Sequence, residues 1–147
     1  MIAIGSDHGG FLLKEAIKKH LQLQKIDYMD FGTDSEASCD YPDIAEAACA
    51  AILLDKCEKG LLFCGTGVGI SIAANKCRGI RAACCSDYFS AKYSRLHNDA
   101  NVLCLGGRVV GEGLACELVD VFLNTPFEGG GRHSCRIDKI KAIENLG

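Results

Sequence analysis

The chain has 147 residues, 48% of them apolar and 24% charged, with two prolines and a formal net charge of -3. That length can bury a core without staples, and the profile belongs to an ordered globule, which excludes fibrous and disordered classes. The charge offers no basic field to a nucleic-acid backbone and no apolar run is long enough to span a bilayer, so the expected partner is a small soluble ligand.

The apolar run "IAI" at 2–4 stops at Gly5 and precedes "FLLKEAIKKHL", where Leu12, Leu13, Ala16, Ile17 and Leu21 recur at helical spacing. "IDYMDFG" reads as a second strand, and Pro42 sits near the first turn of a helix through "DIAEAACAAILLD". The alternation continues: "GLLFC" before a helix over "GISIAANK", "GIRAACC" before "YFSAKYSRLH", and "NVLCLG" before "GLACELVDVFL". After Pro126 and "FEGGG", the segment "RHSCRIDKIKAIENLG" predicts a last amphipathic helix, a C-terminal arm with no strand after it.

Short, continuously apolar strands separated by helices predict a parallel sheet covered on both faces. The expected fold is a three-layer α/β/α sandwich with a five-stranded, Rossmann-like sheet. With no repeat and no second core, residues 1–147 read as one domain. The start "MIAIGSDHGG" lacks the features of a secretory signal, and cytosol is expected. The ten cysteines contain no C-x-x-C pair and lie largely in apolar runs. They read as reduced, with Cys49, Cys77, Cys84, Cys85, Cys104 and Cys116 as small buried hydrophobes and no zinc site.

Ligands of open parallel sheets bind beyond the carboxyl ends of the strands, which directs attention to "GSDHGG", "CGTGVGIS", "SDY" and "GGR". The turn Gly65-Thr66-Gly67-Val68-Gly69 lets backbone approach a ligand and can aim several N–H groups at one point, an anion-binding device favoured over the alternative that the glycines only permit tight packing. A dinucleotide fingerprint would need glycine where Ile70 stands, no Gly-Lys-Ser/Thr follows for a P-loop, and a C-x5-R phosphatase loop would need arginine at the same Ile70. What remains is Cys64 at a strand end beside a nest of amides, where a thiolate is favoured and an enediolate oxygen could be held.

His20 follows Lys18 and Lys19 on a helix face and reads as a solvated side chain. His8 lies in a strand-end loop and His97 closes a helix in "RLHNDAN"; either could titrate near neutrality, and His97 could instead cap its helix. Asp7 follows a strand directly and can also serve as an N-cap. Arg108 falls in the loop after the fifth strand. Arg132 and Arg136 share a helical face near His133, and the Gly129–Gly131 hinge would let them reach a phosphate in their own subunit or a neighbour.

Taken together, "IGSDHGGFLLK", "DYPD", "CGTGVGISIAANK", "GIRAA", "HNDANVLCLGGRVVG" and "GGRHSCRIDKI" resemble, nearly end to end, the type B ribose-5-phosphate isomerases, which are grouped with the galactose-6-phosphate isomerase subunits. The resemblance implies aldose–ketose isomerisation in the pentose phosphate pathway through a cis-enediolate, with no metal or organic cofactor. It implies Cys64 as carbon base, His97 in ring opening with Asp7 assisting, and Thr66 handling protons at the sugar oxygens. Gly65, Gly67, Gly69 and Ser71 would build the anion hole, and Tyr41 and Asn98 would line the sugar site. His8, Arg108, Arg132 and Arg136 would surround the phosphate, some of them given across the interface of a homodimer, itself able to pair into a tetramer. The cysteine places the chain apart from the branch with serine there, which uses a glutamate base. Two other readings remain open: an isomerase of allose or galactose 6-phosphate, and a non-catalytic phosphate-ligand sensor.

Overall fold

A computed structural model covers residues 1–147. Five strands form one sheet: β1 (Ile2–Ser6), β2 (Tyr28–Asp30), β3 (Lys59–Cys64), β4 (Ala82–Cys84) and β5 (Val102–Gly106). Every pairing is parallel and the order is β2-β1-β3-β5-β4. The helices are α1 (Phe11–Leu23), α2 (Tyr41–Leu53), α3 (Val68–Asn75), α4 (Tyr88–Leu96), α5 (Glu112–Asn124) and α6 (Gly131–Glu144), with one 3-10 turn at His8–Gly10. The expected α/β/α sandwich is borne out.

Alternation along the central strands fills two separate cores, as a sheet with both faces covered requires. Leu61, Phe63, Leu103 and Leu105 join Leu13, Ile17 and Leu21 of α1 and Leu118 and Phe122 of α5 on one face. Leu62, Cys64, Val102 and Cys104 face Ala45, Ala48 and Cys49 of α2 and Ile70 and Ala74 of α3 on the other. Cys64 therefore points into the α2/α3 layer from the last position of β3. No helix is long and apolar enough to cross a membrane.

Boundaries differ from the sequence expectation where polar groups, not apolar ones, decide pairing. β1 continues through Gly5 to Ser6, because Ser6 exchanges hydrogen bonds with the chain at Gly32 and Thr33, both 2.6 Å. β4 shrinks to three residues, and its Ala82 N–H and C=O are taken by the Asn75 side-chain amide at 2.8 and 3.0 Å. His20 is not simply solvated: its Nε2 lies 2.7 Å from Asp120 Oδ1, linking α1 to α5. Lys14, fully buried on α1, donates to both Asp30 carboxylate oxygens at 2.9 Å and to the Thr33 carbonyl. The terminal helix α6 buries only Ile137, and its end is tied to the turn before β4, with Gly79 N–H donating to Glu144 at 2.7 Å.

Candidate active site

Three loops meet at the carboxyl edge of the sheet with backbone against backbone. A Cβ on Gly9 would lie 2.9 Å from Gly65 N, one on Gly107 2.6 Å from Gly9 O, and one on Gly106 2.6 Å from the Thr66 backbone. Asp7 N–H to Phe63 O (3.2 Å), Gly107 N–H to Cys64 O (2.8 Å) and Arg108 N–H to Gly65 O (3.0 Å) lock them together. Gly67 takes a left-handed φ of 81° at the start of α3, where a side chain would also strike Leu105 at 2.9 Å. Only glycine fits that conformation without strain.

This turn delivers the Gly67 N–H to Cys64 Sγ at 3.1 Å, while Cys64 itself is only 4% exposed. Its sulfur thus lies at the floor of the turn with a single amide aimed at it, a donor placed to hydrogen-bond the sulfur. Cys49, Cys57, Cys85 and Cys104 are buried packing groups, whereas Cys77 and Cys116, expected to be buried, are only half-buried. Burial, with Cys77 beside it, pushes the Cys49 thiol up to about 12, and burial pushes that of Cys85 up to about 11. Cys84 departs from the expected burial: it is exposed, because β4 is an edge strand.

The remaining groups of this edge are set by their own hydrogen bonds. Asp7 caps the 3-10 turn, yet both amides, Gly9 and Gly10, reach Oδ1 (2.9 and 3.1 Å), which leaves Oδ2 free of these bonds. His8 Nδ1 accepts the Cys39 N–H at 3.2 Å, so the ring proton sits on Nε2. Thr66 Oγ1 accepts the Val68 N–H at 3.2 Å, leaving its hydroxyl proton to donate. The Tyr41 ring lies on Gly69 and the Arg108 guanidinium on Gly65, at contacts of 2.7 and 2.9 Å to where a Cβ would stand. A cleft of about 240 Å³ opens beside these groups, lined by His8, Glu36 and Arg108 and not by Cys64; its histidine and arginine suit an anion, which Glu36 opposes.

Ser71 does not join the amide nest. Its N–H donates to Gly67 O at 3.2 Å and its hydroxyl to Val68 O at 2.7 Å, both spent inside the helix. The reason is that α3 begins at Val68, one residue before the expected start, so the first-turn amides without a backbone partner are those of Val68, Gly69 and Ile70. The Ile70 N–H thus joins those of Val68 and Gly69 at the helix start, as the rule that a helix leaves its first N–H groups free requires. Ser6 Oγ, buried with no partner beside Asp7, carries no signal in the sequence.

Four expected site residues lie elsewhere in the chain. Cys64 is level with Gly106 at the carboxyl end of β5, whereas His97 and Asn98 precede its amino end at Val102, about 13 Å back along the strand. His97 stacks on His133 of α6 with centroids 4.1 Å apart, and His133 is flanked by Arg132 and Arg136. Asn98 lines the largest cavity, about 520 Å³, between β4, α4 and α6, well away from Cys64. One chain thus carries two clusters at opposite ends of its strands, Asp7, His8, Tyr41, Cys64, Thr66 and Arg108 at the carboxyl end and His97, Asn98, Arg132 and Arg136 at the amino end.

The model of the Ribose/Galactose Isomerase family matches residues 2–140. The chain is 50% identical over 143 residues to ribose-5-phosphate isomerase B of Escherichia coli, covering 97% of this chain and 95% of that protein. Among solved structures it is similar to ribose-5-phosphate isomerase B of Clostridium thermocellum, with a TM-score of 0.96, 50% identity, and coverage of 99% of this chain and 97% of that one. It is similar also to the ribose-5-phosphate isomerase B of Mycoplasma genitalium with bound ribulose-5-phosphate, with a TM-score of 0.92, 41% identity, and coverage of 99% and 97%.

Proposed function

The chain belongs to the ribose/galactose isomerase family, and from that premise we propose that it interconverts ribose 5-phosphate and ribulose 5-phosphate, with Cys64 as the carbon base. One observation carries the reading: a thiol with an amide aimed at it, 3.1 Å away, on the same loop as the unpaired first-turn amides of α3. The sulfur and the oxyanion donors are then fixed relative to each other before substrate arrives, which is where preorganised donors contribute most.

The phosphate is taken by Arg108 and by His8 through Nε2–H. Asp7 Oδ2 receives the proton of the anomeric hydroxyl while His97 gives one to the ring oxygen, so that the bond from C1 to the ring oxygen breaks and the C1 carbonyl forms. Cys64 then removes the proton from C2, the Gly69 and Ile70 amides hold the developing enediolate oxygen, and Thr66 passes its hydroxyl proton between O1 and O2. The same thiol returns the proton to C1.

The two clusters lie at opposite ends of the strands of one chain, which supports a homodimer in which His97, Asn98, Arg132 and Arg136 of one protomer complete the Cys64 site of the other. We place the protein in the cytoplasm, in the pentose phosphate pathway, as one isomerase domain over residues 1–147. The test is an assay with ribose 5-phosphate in deuterated water. Turnover with solvent deuterium entering the sugar is expected. Binding of the sugar phosphate without exchange would favour a sensor, and a higher kcat/KM on allose or galactose 6-phosphate would reassign the substrate.

A further inference from the structure

We propose that His97, Glu128 and His133 form a binding site for a divalent transition-metal ion of the zinc type, whose capture of His97 shuts off the isomerase reaction. The binding stands by itself; the shut-off rests on the ring-opening role given to His97 above. Three separate segments converge here: the end of α4, the chain before α6 and the first turn of α6. One imidazole nitrogen from each histidine and a Glu128 carboxylate oxygen all lie within 4.8 Å of one another. Backbone bonds fix the approach, with Glu128 N–H donating to Leu96 O at 3.0 Å and His97 N–H to Tyr93 O at 2.9 Å.

Two imidazoles and a carboxylate are a donor set for zinc, nickel, cobalt or copper, and leave positions open for water. Bonds of about 2.0–2.2 Å require donor atoms roughly 3.3 Å apart, so the set must close by about 1.5 Å. The rings are nearly parallel, 12° between planes, and side-chain rotation that breaks this stack can supply the closure. Arg132 and Arg136 flank His133 on α6. The same two arginines oppose a cation. Magnesium and calcium, which bind through charge on oxygen donors, are thereby disfavoured relative to ions that bond strongly to imidazole.

Cobalt(II) and zinc(II) titrations of the assembled enzyme test this in the wild type, Glu128→Gln and His133→Asn. The wild type is expected to give cobalt ligand-field bands without a thiolate charge-transfer band, and a zinc inhibition reversed by a chelator. Glu128→Gln is expected to keep its metal-free activity, and both variants to need roughly tenfold or more metal for the same effect. A thiolate band, or titrations unchanged in both variants, would overturn the site, and saturable cobalt binding with undiminished turnover would overturn the shut-off. The cobalt spectrum reads the site whether or not ribose 5-phosphate is a substrate, so its failure is separate from failure of the proposed reaction.

Discussion

Cys64 Sγ has one hydrogen-bond partner, the Gly67 amide, and the backbone that aims it needs a left-handed residue with no side chain. Cys64→Ala is expected to abolish isomerisation while the far-UV spectrum and Tm stay close to those of the wild type; near-normal turnover would remove the thiol from the mechanism. Gly67→Ala is expected to cost at least about 2 kcal/mol, from the left-handed backbone and the contact with Leu105, and to cut turnover by turning the amide away. Denaturant midpoints and kcat measured together check both effects. Cys64 and its glycine turn were legible in the sequence because a strand, a thiol and spaced glycines are adjacent in the chain. The bonded Ser71 N–H and the free Ile70 N–H were not, since they depend on a helix start shifted by one residue.

At the scale of elements, α1 and β2 are joined through a buried charge. Burial opposes ionisation of Asp30, but hydrogen bonds from Lys14 and Lys18 and the Gly32 N–H outweigh it and hold the carboxyl below its ordinary range. Removing the carboxylate strands an ammonium with no solvent exposure, so Asp30→Ala is expected to lose about 3 kcal/mol at neutral pH by urea unfolding. Because the folded-state value is depressed, this stabilisation is present above about pH 4 and is lost as pH falls through the lower folded value. Asp30→Asn should flatten that part of the acid dependence. At the opposite edge, Asn75 stands in for a missing strand beside β4, and Asn75→Ala is expected to cost about 1–2 kcal/mol. Helices and central strands were legible from apolar periodicity, whereas the limits of β1, β2 and β4 follow from side-chain and loop hydrogen bonds that leave no periodic trace.

For the whole molecule, the arrangement that matters is the division of the expected site between the two ends of the strands of one sheet. Motif reading brings Cys64 and His97 onto one page because both lie near strand ends, but it does not say which end; the register of β3 and β5 does. The most direct measurement of the central claim is complementation. Cys64→Ala and His97→Ala, each inactive alone, are to be co-expressed or unfolded and refolded together, and the hybrid isolated through two tags. In a shared-site dimer each hybrid holds one intact and one doubly defective site, so an equal mixture is expected to regain about a quarter of wild-type activity, all of it in the hybrid fraction. Verified hybrids with no activity would contradict a site built from Cys64 of one protomer and His97 of the other.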